Sequence, residues 1–326
     1  MTDRALVAEL GRRLRDAGCF APCSYARRLA VLVPLFAALF VLATQSLVAC
    51  VACAIVSVQL GIVSHDAGHA QVSRARWVNA FWGHAGMTFA CGLSWSHWCI
   101  VHDAHHQHSQ DEARDPDMQY AAVFSVYPSA DKRGVAALAR PFQHVYFWPL
   151  GALYSWSLRW DSIARCIRDP ARTRVDRLVL PLHYALWLGV PVWLIGPVAA
   201  LASYVVVSTV IGLYLVAIFA PNHMGMPSLR TGEYTSYLRQ QIVTSRDLHG
   251  GAWLALLFQG LEHQIEHHLF PRIGQAQLRR ARRIVTAFCA EHGLPHASTT
   301  FWRAHGEILV HLRRMGGEGH HETTPA

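Results

Sequence analysis

Two long stretches of this 326-residue chain contain no charged residue: Leu29 to Ser64 and Leu178 to Met226. With 52% hydrophobic residues overall, that absence excludes an ordinary soluble domain. A single helix over either stretch, at about 1.5 Å per residue, would greatly overrun the roughly 30 Å hydrocarbon core of a bilayer. Each is therefore read as a hairpin of two spans, breaking near Thr44-Gln45-Ser46 and near Gly196-Pro197. The predicted fold is an all-α integral membrane protein with four transmembrane helices, roughly 29–44, 46–64, 178–195 and 198–220, under a cytoplasmic helical cap.

Other absences narrow the field. The apolar block starts only after about thirty residues, several of them charged, so no cleavable signal is expected. The eight cysteines are scattered, and Cys50 and Cys53 fall inside an apolar span, so free thiols and packing roles are expected instead of disulfides. The net charge of +8 comes without a nucleic-acid recognition motif. No nucleic-acid partner is expected, because arginines meeting anionic lipid account for the charge. There is no internal repeat and no low-complexity domain.

Arginine placement gives the orientation. Arg12, Arg13, Arg15, Arg27 and Arg28 precede the first hairpin. Arg74, Arg76, Arg159, Arg165, Arg168 and Arg177 lie between the hairpins, and Arg272, Arg279 and Arg280 follow the second. The hairpin turns carry none, so the positive-inside rule puts both termini and the middle segment of this multi-pass protein in the cytoplasm.

What the chain does have is histidine in clusters beside the ends of the apolar stretches: His65 and His69 in HDAGH, His102, His105 and His106 in HDAHH, His267 and His268 in QIEHH. On a helix, positions i, i+3 and i+4 share a face, so each cluster can aim two or three imidazoles at a common point. Neutral imidazole binds iron, copper, zinc and nickel. One zinc takes about four ligands, so these clusters point to two metal ions. Asp66, Asp103 and Glu266 sit inside the clusters and are candidates to accept the second ring N–H of a ligand. Isolated histidines such as His183 and His144 are read as satisfied by packing.

A zinc protease would need HExxH, and Asp66 follows His65. A carboxylate di-iron bundle needs Glu and Glu-x-x-His pairs, whereas imidazoles dominate here. A metal transporter usually places ionisable residues near mid-bilayer, and both hairpins lack charge.

Around these motifs, residues 1–28 read as a cytoplasmic lead-in with Leu6, Leu10 and Leu14 at helical spacing, and 29–315 as one membrane domain. Residues 77–101 read as an interfacial or re-entrant element, 107–133 as loop, and 141–160 as a surface-lying helix. Asn222-His223 opens a loop, 252–270 form one apolar helix, 275–315 a basic helical tail, and 316–326 a disordered end.

HDAGH, HDAHH followed by DPD, FAPNHMGMP and QIEHHLFP together resemble the membrane fatty acid desaturases, most closely the acyl-lipid and front-end type with a Gln-x-x-His-His third box. The resemblance runs from about His65 to about Leu294 and includes TSRDLHGG. It implies a non-haem centre of two Fe ions, with O2 as co-substrate, that inserts a double bond into an acyl chain. The ligands it implies are His65, His69, His102, His105, His106, His267 and His268, with an extra one at His223 and Asn222 beside it as a water-mediated contact. Gln264 stands where other subfamilies carry histidine, Asp103 where Asn is usual, and His263 where an aromatic is usual; His263 is expected to pack or to support a ligand. A fused cytochrome b5 would show His-Pro-Gly-Gly, which is missing, so a separate donor of ferredoxin or cytochrome b5 type is expected. The basic C-terminal segment could dock an acidic carrier or meet lipid headgroups. An apolar tunnel beside Trp95, Trp98, Phe147 and Trp148 would hold the acyl chain. A hydroxylase, acetylenase or ketolase on the same centre is the alternative within enzymes.

Overall fold

The computed structural model describes residues 2–118, 124–127, 134–233 and 236–317. It is mostly helical. The lead-in forms α1 (Asp3–Asp16), capped by Thr2, with Leu10 and Leu14 fully buried. Helices α2 (Ala26–Leu42) and α3 (Leu47–Gly68) form an antiparallel pair whose turn falls at residues 43–46. Helix α4 (Arg76–Gly83) passes through a π-helical stretch (His84–Ala90) toward α5 (Trp95–His108), which Ser94 caps. Short helices α6 (Val135–Ala139), α7 (Gln143–Gly151) and α8 (Tyr154–Arg168) follow.

Helix α9 (Asp176–Tyr184) continues through a π-helical turn (Ala185–Gly189) into α10 (Val190–Ile195). Gly196, at φ 81°, reverses the chain into α11 (Pro197–His223). A left-handed residue followed by proline is an economical helix stop and start, because glycine tolerates positive φ and proline pre-sets the first helical position. The cap is completed by α12 (Tyr237–Val243), β1 (Asp247–His249), α13 (Ala252–Phe258), α14 (Gln264–Leu269), α15 (Gln275–Glu291), β2 (Ser298–Thr300) and α16 (Phe301–Gly317).

Among the described residues, three helical runs are long and apolar enough to cross a membrane: Leu47–Gly68, Asp176–Ile195 and Pro197–His223. At 17 residues, α2 is about 26 Å long at 1.5 Å per residue, shorter than the hydrocarbon core.

Helix α3 is the central post. Its lower half packs against α11, and Gln59 donates to Leu257 O (3.1 Å) and bonds Tyr214, joining α3, α11 and α13. The π-helical stretch presses so close to α3 that a Cβ on Gly86 would collide with Leu60 O and the Ser64 side chain. Gly86→Ala is therefore expected to destabilise the protein by about 1–3 kcal/mol through overpacking, seen as a lowered Tm in detergent. A second core lies in the cap, where Leu10 and Leu14 of α1 meet Ile242, Ile265, Leu278, Val285 and Phe288.

Several expectations are corrected. The all-α reading misses a parallel two-stranded ribbon, β1 with β2, registering Asp247 to Ser298. Residues 252–270 are not one helix: Gln259 (φ 52°) and Gly260 (φ 103°) adopt left-handed geometry and turn the chain before α14. Apolar periodicity does not register such a break. Asn222 and His223 close α11 rather than opening a loop, since α11 runs through Pro221. The basic tail divides at β2 into two helices, and Gly316 and Gly317 belong to α16. The remainder of the expected disordered end, 318–326, and most of the loop from 119 to 133 lie outside the described residues.

Candidate metal centre

Four helices bring their histidines to one region. Helix α3 brings His65 and, at its C-terminal cap, His69; α5 brings His102, His105 and His106; α11 ends on His223; α14 carries His267 and His268. Successive helical residues are about 100° apart around the axis, so adjacent histidines diverge. His267 and His268 thus fall to two different foci, and His106 parts from His105.

The first focus gathers His65, His69, His102 and His267, one ring nitrogen of each lying within 4.8 Å of the others. The second gathers His105, His223 and His268 to the same tolerance. His106 sits between them. Its Nε2 lies 3.1 Å from His102 Nε2, its ring centroid 4.8 Å from those of His69 and His267, and it stacks on His268 at 4.3 Å.

The donor set fits metal ions. His102 Nε2 faces both His69 Nε2 (3.0 Å) and His106 Nε2 (3.1 Å). Metal–nitrogen bonds of about 2.1 Å would place neighbouring ligands about 3.0 Å apart at right angles. Buried His65 Nε2, His106 Nδ1, His267 Nε2 and His268 Nε2 have no hydrogen-bond partner. Buried polar atoms are normally satisfied, so orphans on His65, His267 and His268, each a member of one of the two foci, call for cations. Burial, reinforced by neighbouring imidazoles, pushes His102, His106, His267 and His268 well below the usual histidine range. That keeps them in the neutral, ligating form.

The opposite ring nitrogens are held. His65 Nδ1 meets Asp66 Oδ1 at 3.1 Å, and Tyr25 Oη donates to the other oxygen of that carboxylate. His105 Nδ1 donates to Asp115 at 3.0 Å, His223 Nδ1 to Thr244 O at 2.9 Å, and His268 Nδ1 to Gln241 Oε1 at 2.9 Å. Burial alone would lower His105, but Asp115 and Asp117 overcome it and hold the ring up at about 9. Each bond fixes a tautomer and leaves Nε2 for a metal. Asp115→Asn is expected to weaken metal binding about 10–100-fold, measured by chelator competition on purified protein.

A cavity of about 500 Å³ opens onto both foci. His102, His105, His223 and Gln264 form its polar end, and Leu153, Leu158, Leu215, Val216 and Phe219 its apolar walls.

The sequence profile of the fatty acid desaturase family matches residues 42–300. This chain belongs to the fatty acid desaturase family. It is 27% identical to an acyl-lipid (9-3)-desaturase of Physcomitrium patens over 79% of its length and 51% of that protein's. It is 25% identical to a delta 8-(E)-sphingolipid desaturase of Kluyveromyces lactis, over 80% and 50% of the two chains. It is 27% identical to a delta(8)-fatty-acid desaturase of Borago officinalis, over 78% and 61%. The chain spans about half to three fifths of the length of these relatives.

The structure of this desaturase-family chain brings all eight expected histidines together, with Asp66 on His65. Gln264 Nε2 lies 2.9 Å from His223 Nε2, and Asn222 Nδ2 donates to Gln264 Oε1 at 3.1 Å. Other expected residues lie elsewhere. Asp103 is on the exposed face of α5, about 100° around the helix axis from His102. Glu266, inside the third box, and His263, just before it, gather with Asp247 instead of with the eight histidines. Of the four aromatics expected at a tunnel, Trp98 and Phe147 line the cavity. Trp95 instead donates its indole N–H to Ser64 O, and Trp148 packs on Phe147 and His305. The isolated His183 is held by Phe89 O and Tyr204 Oη.

Asp115, Gln241 and Thr244 went unrecognised as histidine supports. The DPD following the second box was the one available signal for Asp115. Gln241 and Thr244 carry none, because only the fold brings α12 against the boxes.

Proposed function

We propose that this protein is an O2-dependent desaturase that introduces a double bond into a fatty acyl chain at a pair of iron ions. The observation supporting this best is the meeting of two imidazole foci with the polar end of one apolar cavity. His65, His69, His102 and His267 would hold one iron, His105, His223 and His268 the other, with His106 between them. Bound iron supplies the oxidation by O2 of an unactivated C–H bond, chemistry beyond any amino-acid side chain.

The chain's own residues do the rest. The cavity walls hold the acyl chain extended with one stretch against His102 and His105, and exclude water from that stretch. Trp98 stacks on His102 at 4.3 Å and closes one side. Gln264, beside His223, stands where a bound water between protein and metal would be steadied, with Asn222 fixing the amide. Asp66, Asp115, Gln241 and Thr244 hold the ligand rings in one tautomer and orientation.

Helix α2 would be the fourth span, flanking residues making up the shortfall in length, and pairs with α3 as α9–α10 pairs with α11. The arginine bias would place both termini and the metal centre on the cytoplasmic side, with 29–315 as one membrane domain. The relatives named for acyl-lipid and sphingolipid substrates favour a lipid-linked acyl group. Reducing equivalents would come from a separate carrier of ferredoxin or cytochrome b5 type.

Expression in a host of defined lipid composition, followed by mass spectrometry of derivatised fatty acids, tests this reading. A new olefin at one carbon pair is expected; an alcohol, an alkyne or no change would count against it.

A further inference from the structure

Behind the third histidine box, facing away from the paired foci, lies a cluster that the desaturase reading does not use. Asp247 of β1, His263 of the turn before α14 and Glu266 within α14 are all buried. A carboxylate oxygen of each acid and a ring nitrogen of His263 fall within 4.8 Å of one another. His296 approaches from the loop after α15, its Nε2 3.2 Å from Glu266 Oε1 and 3.7 Å from Asp247 Oδ2. We propose that Asp247, His263 and Glu266, with His296 beside them, form a third metal site for one divalent transition ion of the zinc or manganese type.

Three observations point to a cation. Glu266 is 0% exposed and its Oε2 has no hydrogen-bond partner; His263 is 7% exposed and its Nδ1 has none either. Both are unpartnered atoms of side chains more than nine-tenths buried, and both belong to the cluster. Next, the charges do not balance. Asp247 Oδ2 lies 3.1 Å from Arg282 Nε, which offsets one of the two carboxylates, and Glu266 is left with a histidine ring, that of His296, as its counterpart away from water. An unpaired buried carboxylate is costly, so the pair must either share a proton or take up a cation. Finally, the donors are mixed nitrogen and oxygen with no thiolate, the set that zinc and manganese accept.

One of the site's donors borders a separate cavity. His263 and Arg282 line a second cavity, about 770 Å³, that touches none of the eight clustered histidines. It also has a structural purpose. Asp247 Oδ1 accepts the backbone N–H of Ile265 at 3.1 Å, so an ion here would clamp β1 to the helix that presents His267 and His268. A metal gripping neighbours of those ligands would hold α14 in place, as supporting interactions do around metal sites generally.

Iron-loaded protein in detergent, incubated with zinc chloride, desalted and measured by mass spectrometry, tests the site. About one zinc per chain is expected to remain beside the iron. His263→Ala and Glu266→Gln should retain at least about ten-fold less zinc while keeping their iron. His268→Ala should lose iron and keep the zinc. Zinc-edge absorption of the wild-type protein should show a mixed imidazole and carboxylate shell, a readout independent of any variant's folding. No retained zinc in wild type, an all-imidazole shell, or equal zinc in wild type and His263→Ala would overturn the proposal and leave the carboxyl pair holding a shared proton.

Discussion

Replacing His268 or His106 with alanine is expected to lower product formation by more than about 100-fold, beyond the 10–100-fold usual for residues that merely support a ligand. His268 Nε2 is buried and unpartnered, and its Nδ1 is already committed to Gln241. His106 stands between the foci, stacked on His268 and facing His102. Neither anchors a spanning helix, so both variants should insert into the membrane in normal amount. Product assays beside quantitative blots of membrane fractions check this. Near-normal turnover in either variant would remove these rings from the centre.

Filling the cavity should silence the protein by a different route. Leu215 is on its apolar wall, on α11 two turns before His223, and packs near Trp98 and Leu158. Leu215→Trp is expected to cut product formation at least about ten-fold by excluding the acyl chain, at a cost of about 1–3 kcal/mol in stability from the added bulk. Iron content should stay at the wild-type level, because no histidine is displaced. Metal analysis and product assay on the same preparation separate loss of access from loss of metal. Unchanged product would mean that the acyl chain lies elsewhere.

Much of the site was legible because imidazole clusters beside charge-free stretches are rare and chemically specific. HDAGH, HDAHH and QIEHH named seven of the eight histidines that the fold gathers, and the break points at 43–46 and Gly196 followed from charge absence and from glycine and proline. What the sequence concealed depends on three-dimensional direction. Helical spacing places His105 and His106 near one another, yet their divergence of about 100° puts His105 in the second focus and leaves His106 between the two. Asp103 and Glu266 are close to ligands along the chain but leave their helices on other faces. Gln241 and Thr244 support ligands far from them in sequence. The turn at Gln259-Gly260 sits in an apolar run where periodicity continues unbroken across the change of direction.

The most direct test is the iron content and Mössbauer spectrum of protein purified without oxygen and reconstituted with ferrous iron. Seven imidazoles in two foci with His106 between them, at about four ligands per metal, predict about two irons per chain in neighbouring, coupled environments. One iron, or none with zinc at those histidines, would contradict the account.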